Sequence, residues 1–264
     1  MQTAATNGIK LAYTIDGTAD KPWIVLSHSL ATDHRMWAPQ ISVLEQTHRV
    51  LRYDTRGHGG SDAPSGDYTI STLVDDLAGL LEVLEIKDTD VMGISLGGAT
   101  AIGLALGHPG LVRRVICCDA MVQSTPEYAN GWRERIEIAA QQGMDALWEG
   151  SSGRWLTKEY RADPKNAQTL AQVREMFLGT SVDGFSGCAA ALTTLNYESQ
   201  LPSLAAPCLC ITGSEDVAAP PEVMGEIASA VADGELEVID DAAHLSNLNQ
   251  PEKFNRIVSE WLDH

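Results

Sequence analysis

The chain has 264 residues and a formal net charge of −18, from 18 Lys and Arg against 36 Asp and Glu; this length suits one or two domains and buries roughly 70–75% of the unfolded surface, enough to need no staple. The charge excludes a basic footprint for nucleic acid or an anionic membrane surface, no run nears the roughly 18 apolar residues of a membrane span, and the opening MQTAATNGIKLAYTIDG lacks a basic-then-apolar secretory signal. Five cysteines, odd in number and irregular in spacing, read as reduced thiols in a cytoplasmic protein.

Residues 9–15 and 23–27 are short apolar runs separated by the turn signal Asp16-Gly17, and residues 48–53 alternate at the strand period of two. A short helix fits 39–46. Ile70, Leu73, Val74, Leu77, Leu80, Leu81 and Leu84 fall on one helical face and predict a helix over 70–84. A buried strand at 90–94 runs into a small-residue helix at 97–107, closed by His108-Pro109, and 112–118 is a β-branched strand. From 121 to 200 the patterns are helical. Strand–helix alternation resumes with strands at 208–212 and 235–239 and helices at 221–231 and 251–262. Such alternation predicts an α/β fold, a mostly parallel sheet covered on both faces. The core comprises 1–120 and 201–264, and 121–200 is an inserted helical cap or lid.

Gly93-Ile94-Ser95-Leu96-Gly97 has the form G-x-S-x-G between a strand and a helix, the context in which this motif carries a serine nucleophile. The plain alternative is a Gly-rich turn with a helix-capping serine. A serine needs a base oriented by an acid. His244, in the loop before the last helix, is the favoured base. His48, His108 and His264 sit at element or chain ends, His34 and His58 in loops, and His28 in a separate motif. For the acid, Asp216 follows the strand at 208–212, Asp119 follows the strand at 112–118, and Glu215 is a third choice. Loops at the carboxyl ends of parallel strands are where such sheets place functional groups, and Asp216 is preferred. An oxyanion hole would take its N–H groups from Leu96, after the nucleophile, and from Leu30, in His28-Ser29-Leu30-Ala31-Thr32-Asp33.

These motifs, with Tyr53-Asp54-Thr55-Arg56-Gly57-His58-Gly59, fall in one order over essentially the whole chain. The chain thus resembles the α/β-hydrolase superfamily. Arg35-Met36-Trp37, Trp132-Arg133-Glu134-Arg135-Ile136, Gly184 and Cys188-Ala189-Ala190 narrow the resemblance to 3-oxoadipate enol-lactonases and related small esterases. Ser29 stands where the superfamily usually has Gly. Gly98-Ala99-Thr100-Ala101 and Met121-Val122-Gln123 also depart from a typical enol-lactonase.

The resemblance implies a cofactor-independent Ser95–His244–Asp216 hydrolase, acting on 3-oxoadipate enol-lactone in aromatic-compound catabolism. Trp132 and Arg133 would contact the substrate. Arg133 and Arg135 are two apart on a predicted helix, so at most one faces the site; Arg133 could instead pair with Glu137 on the surface. The same triad would serve a general carboxylesterase, a C–C bond hydrolase or a perhydrolase, and the fold could serve a ligand receptor. Arg56-Gly57-His58-Gly59-Gly60 lacks the ending of a phosphate loop, and Asp54 and Arg56 would anchor this turn locally. The cysteines have no zinc-site partners, so no metal is expected. The expected partner is a small ester or lactone, with a homo-oligomer left open.

Overall fold

A computed structural model describes residues 1–263. The chain opens with a hairpin, β1 (Gln2–Thr6) and β2 (Ile9–Asp16), turned by Asn7 and Gly8. Both turn residues have positive φ, which an Asn-Gly pair accepts most readily. Alternation follows: β3 (Trp23–Ser27), α1 (Ala38–Leu44), β4 (Arg49–Tyr53), α2 (Ile70–Val83), β5 (Thr89–Ile94), α3 (Leu96–Gly107) and β6 (Val112–Cys118). Five helices come next: α4 (Pro126–Gln142), α5 (Asp145–Trp155), α6 (Lys158–Ala162), α7 (Ala167–Gly179) and α8 (Val182–Thr193). The chain then forms β7 (Cys208–Gly213), α9 (Pro221–Ala230), β8 (Gly234–Ile239), the short α10 (Ser246–Asn249) and α11 (Pro251–Leu262).

The eight strands form one sheet in the order β1-β2-β4-β3-β5-β6-β7-β8. Only β1–β2 and β2–β4 pair antiparallel. β1 lies outside the expected strands, because QTAAT has no apolar alternation; it is held by its register on β2. β5 and β7 are buried at every position, as strands covered on both faces should be. Val25, Leu51, Val91 and Val115 face α2, α3 and α9, while Ile24, Val50, Met92 and Ile116 face the opposite side with α1 and α11. Trp148, Trp155, Phe177 and Phe185, from the helices between β6 and β7, join this second cluster. The inserted helices therefore bury apolar surface continuous with one face of the sheet.

All five cysteines are buried and unbridged. Cys117 and Cys118 fall on opposite faces of the sheet, and Cys208 and Cys210 share one. Among the described residues, no helix is long and apolar enough to cross a membrane.

Two approaches of backbone to backbone set the geometry around the sheet end. A Cβ on Gly97 would strike the Ser27 carbonyl, so α3 starts directly against the end of β3. A Cβ on Gly184 would strike the Gly57 carbonyl, which locks α8 onto the turn after β4. That turn is anchored less locally than expected: Arg56 reaches Asp76 of α2 with two hydrogen bonds of 2.7 Å. Asp54 accepts from the amides of His34 and Gly60, at 2.9 and 2.8 Å, and from His34 Nδ1 at 2.7 Å.

Candidate active site

Ser95 occupies the junction of β5 and α3 with φ 58° and ψ −115°. A non-glycine residue held there costs on the order of 1–3 kcal/mol, which the surrounding packing must offset. Glycine at 93 makes the turn feasible, since a Cβ there would meet the Gly97 carbonyl. The strained turn lifts the Ser95 hydroxyl above the sheet, where His244 Nε2 lies 2.9 Å from its Oγ. His244 Nδ1 lies 2.8 Å from Asp216 Oδ2. The other Asp216 oxygen accepts from the amides of Ala218 and Ala219, at 2.7 and 3.1 Å. With the Nδ1–H donating to a carboxylate, Nε2 is left to accept from the serine. Burial opposes charging of the imidazole, but the neighbouring Asp216 carboxylate outweighs it and raises the His244 pKa above its ordinary value.

Asp119, the rival acid, is fully buried at the end of β6 but faces elsewhere. One oxygen accepts from the Gly213 amide at 3.0 Å and the other from Ser246 Oγ at 2.6 Å. Burial, and then repulsion from Asp216, pushes its carboxyl up to about 8. It braces the end of β7, which leads into the loop bearing Asp216, and the segment following His244. Glu215 is exposed.

Leu30 lines the same cavity as Ser95, and Leu96 follows Ser95 in the chain. Leu96 opens α3, so its N–H has no acceptor within the helix. Leu30 lies in the loop after β3, between two amides that are already engaged: Ser29 donates to Met36 Sδ at 3.3 Å and Ala31 to His58 Nε2 at 2.9 Å. Two buried histidines fix this loop. His28 Nε2 accepts from the Thr55 amide at 2.8 Å, leaving its Nδ1–H for the Ser29 carbonyl at 2.8 Å. His58 Nδ1 lies 3.1 Å from the Arg56 carbonyl. Burial pushes the pKa of both rings down, that of His58 to about 3, so both stay neutral.

Ser95, His244 and Leu30 open into a cavity of about 190 Å³ beneath α4 and α5. Tyr128, Trp132 and Arg135 face it from α4 and Arg154 from α5. The Arg135 guanidinium stacks 4.6 Å from the centre of the Trp132 ring. The Trp132 Nε1–H is buried next to the Tyr128 hydroxyl. Arg35, Arg52, Arg56, Arg113, Arg114 and Arg174 all pair with carboxylates. Among the described residues Arg135 and Arg154 have no such partner; Arg154 donates only to Ser151 Oγ, at 3.5 Å.

A family model for the α/β hydrolase fold matches residues 22–251. The chain belongs to this family. It is 33% identical over 265 residues to a 3-oxoadipate enol-lactonase of Acinetobacter baylyi, covering 97% of this chain and 94% of that one. The crystal structure of the enol-lactonase from Burkholderia xenovorans superimposes with a TM-score of 0.95 at 38% identity, over 100% of both chains. An esterase from Thermogutta terrifontis, solved with malate bound, gives 0.90 at 30% identity over 99% of this chain and 96% of that one.

In this α/β hydrolase the structure brings Ser95, His244, Leu30 and Trp132 to one cavity, with Asp216 bonded to His244 behind it and Leu96 next to Ser95 in the chain. It does not bring Arg133 there, which corrects the expected substrate contact. Arg133 is exposed, and its Nη1 donates to Asn130 Oδ1 at 2.8 Å. The cavity face of α4 is formed by Glu127, Tyr128, Gly131, Trp132 and Arg135, at helical spacings of three and four; Arg133 lies about 100° round from Trp132. Arg135 was thus readable as the i+3 neighbour of Trp132. Arg154 carried no signal beyond its place beside Trp155. His264 lies outside the described residues. His48 pairs with Asp90 at 3.1 Å and His34 with Asp54, away from the cavity.

Proposed function

We propose that this hydrolase cleaves a small, carboxylate-bearing ester or lactone by acyl transfer through Ser95, and that its substrate is an enol lactone of the 3-oxoadipate type. The observation that carries the reading is the line from Ser95 Oγ through His244 to Asp216, at 2.9 and 2.8 Å, beneath a cavity offering two unpaired guanidiniums. In this reading α4–α8 act as a cap over the site. His244 takes the hydroxyl proton as Ser95 attacks the carbonyl carbon, Asp216 holds the imidazole, and the amides of Leu30 and Leu96 face the oxyanion. Collapse breaks the carbon–oxygen bond. The ring oxygen leaves as an enol, taking the proton from His244, and the enol becomes a ketone. An enol leaves more easily than an alkoxide, so the acid step is less demanding. Water, deprotonated by His244, then releases the acyl group. These steps require no cofactor.

The acidity of the substrate rests on Arg135 and Arg154, groups that a carboxylate would satisfy. The Thermogutta esterase, 30% identical, was solved with malate, a small dicarboxylic acid, bound, which supports an acidic ligand here. The five unbridged, buried thiols support a cytoplasmic setting. The test is turnover of an enol lactone, short p-nitrophenyl esters and diketone acids, with Ser95→Ala as control. Enol-lactone turnover should dominate, and the alanine variant should lose on the order of 10⁴- to 10⁶-fold in kcat. Ester cleavage without lactone cleavage would make the protein a general carboxylesterase.

A further inference from the structure

The peptide units on either side of Leu30 are both held from outside. The Ser29 carbonyl, which shares a peptide unit with the Leu30 N–H, accepts from His28 Nδ1 at 2.8 Å, from Thr32 Oγ1 at 2.7 Å and from the Thr32 amide at 3.2 Å. In a trans peptide the carbonyl and the N–H point in opposite directions, so tying the carbonyl down on one side aims the N–H at the other. Among the described residues the Leu30 N–H has no acceptor. The following unit turns on Ala31, whose φ of 58° is a conformation that a residue with a Cβ keeps only when its surroundings impose it. The Ala31 amide donates to His58 Nε2 at 2.9 Å.

His58 comes from the turn after β4 and is 1% exposed. Since Nε2 accepts from Ala31, the ring proton is on Nδ1, which donates to the Arg56 carbonyl at 3.1 Å. The same carbonyl accepts from Cys188 Sγ of α8 at 3.4 Å. A continuous path therefore runs from the α8 thiol through the Arg56 carbonyl and the His58 ring to the Ala31 amide. The close approach of Gly57 to Gly184 seats α8 on this turn. The turn's other tie, from the Arg56 guanidinium to Asp76, is to α2 and not to the inserted helices. His58 is not part of the cavity wall, so it touches none of the reacting atoms.

We infer that His58 is a positioning residue of the oxyanion hole: through Ala31 it holds the Leu30 amide in place, and through the Arg56 carbonyl it transmits the seating of α8 to that amide. The inference rests on the acyl-transfer reading above. It adds that the inserted helices govern stabilisation of the tetrahedral state as well as forming the cavity wall. Removing an oxyanion donor outright costs on the order of 10²- to 10³-fold in kcat, and loosening one should cost about 10- to 100-fold.

The test measures p-nitrophenyl butyrate hydrolysis per Ser95 titrated with a fluorophosphonate, and inhibition by ethyl trifluoromethyl ketone, whose adduct with Ser95 carries an oxyanion. His58→Leu withdraws both ring contacts. It should lower kcat by about 10- to 100-fold with KM within about twofold, and raise the ketone Ki in proportion to the loss in kcat/KM. His58→Gln, which offers Ala31 an acceptor again, should recover most of both. Gly184→Ala, which presses α8 off the turn, should cost about tenfold in wild type and less than about twofold on top of His58→Leu, because the path is already cut. An unchanged kcat per titrated site and an unchanged Ki in His58→Leu would overturn the positioning role, and additive losses with Gly184→Ala would overturn the transmission. If His58→Leu does not fold, His58→Asn, which keeps a donor for Arg56 but none of the reach to Ala31, takes its place; failure of both to fold would make His58 a folding residue and overturn the assignment. Ser95-dependent turnover with His58→Leu unchanged would remove this inference alone, whereas wild-type turnover that survives Ser95→Ala would remove the hydrolase reading as well.

Discussion

At the carboxyl end of the sheet, Ser95, His244, Asp216, Asp119 and Ser246 are joined to one another or to backbone amides by hydrogen bonds of 2.6–3.1 Å. Across the cavity, on α4 and α5, Arg135 and Arg154 have no counterion among the described residues. The two regions face one cavity but differ in what they lack. The strand ends are complete without a ligand, as preorganised chemistry requires, because dipoles already in place cost no reorganisation during the reaction. The helices are incomplete, which is costly for the empty protein and useful only if the ligand carries the missing charge. Breaking the lower region should therefore reduce turnover of every substrate, and breaking the upper one should change which substrates are turned over.

The largest separation should come from the two buried carboxyls. Asp216→Asn removes the group that holds the His244 tautomer and should cost about 10⁴-fold in kcat on acidic and neutral esters alike. Its acid limb should also move to lower pH, since Asp216 is what raises the His244 pKa. Asp119→Asn should cost less than about tenfold, because a carboxyl pushed up to about 8 is already largely neutral near pH 7 and the amide keeps its shape. Its signature should be in stability. A carboxyl whose folded pKa is raised contributes stability that is full below its unfolded value, about 3.9, and lost as pH climbs through the folded one. The wild-type Tm should thus fall relative to Asp119→Asn between acid pH and pH near 8. A parallel pair of Tm curves would mean that Asp119 is ionised in the fold. A larger kinetic loss for Asp119→Asn than for Asp216→Asn would give it the acid's role.

The next effect lies in the helices. A charge-assisted hydrogen bond shielded from water is worth about 1.5–3 kcal/mol. Arg135→Ala should therefore lower kcat/KM for an acidic lactone by roughly 10- to 100-fold, with a much smaller loss on a neutral p-nitrophenyl ester. Equal losses on both would make Arg135 a packing residue on the Trp132 ring.

The two regions also differed in how far the sequence revealed them. The Ser95 turn is local: five consecutive residues between a strand and a helix specify it, and Gly93 and Gly97 are needed for contacts within or beside that turn. His244 and Asp216 were readable because each follows a strand at the end of the sheet where loops converge. Asp119 satisfies the same rule, and only its engagement by Ser246 and Gly213 separates it from Asp216; that contact spans 127 residues in the first case and 94 in the second. β1 left no trace in QTAAT, because its partner strand rather than its own pattern holds it. On α4 the spacing showed that Arg133 and Arg135 point apart, but which one meets the cavity depends on how the helix rotates against α8 and the sheet, and no local pattern encodes that.

Arg133 gives the smallest predicted effect and the most direct check on that rotation. Its guanidinium is exposed and bonded to Asn130, three residues earlier on the same helix. A pair of this kind is worth about 0.2–0.5 kcal/mol in an isolated helix, and a substitution at such a surface position usually shifts stability by no more than about 0.5 kcal/mol. Arg133→Ala should leave kcat/KM within about twofold of wild type on acidic and neutral esters alike, since 1.4 kcal/mol is needed for tenfold. The contrast with Arg135→Ala removes the same side chain two residues away on the same helix, so net charge and helix propensity change equally in both variants. A selective loss on the acidic substrate from Arg133→Ala, with none from Arg135→Ala, would mean that α4 presents its other face to the substrate, and the carboxylate site would have to be rebuilt around Arg133.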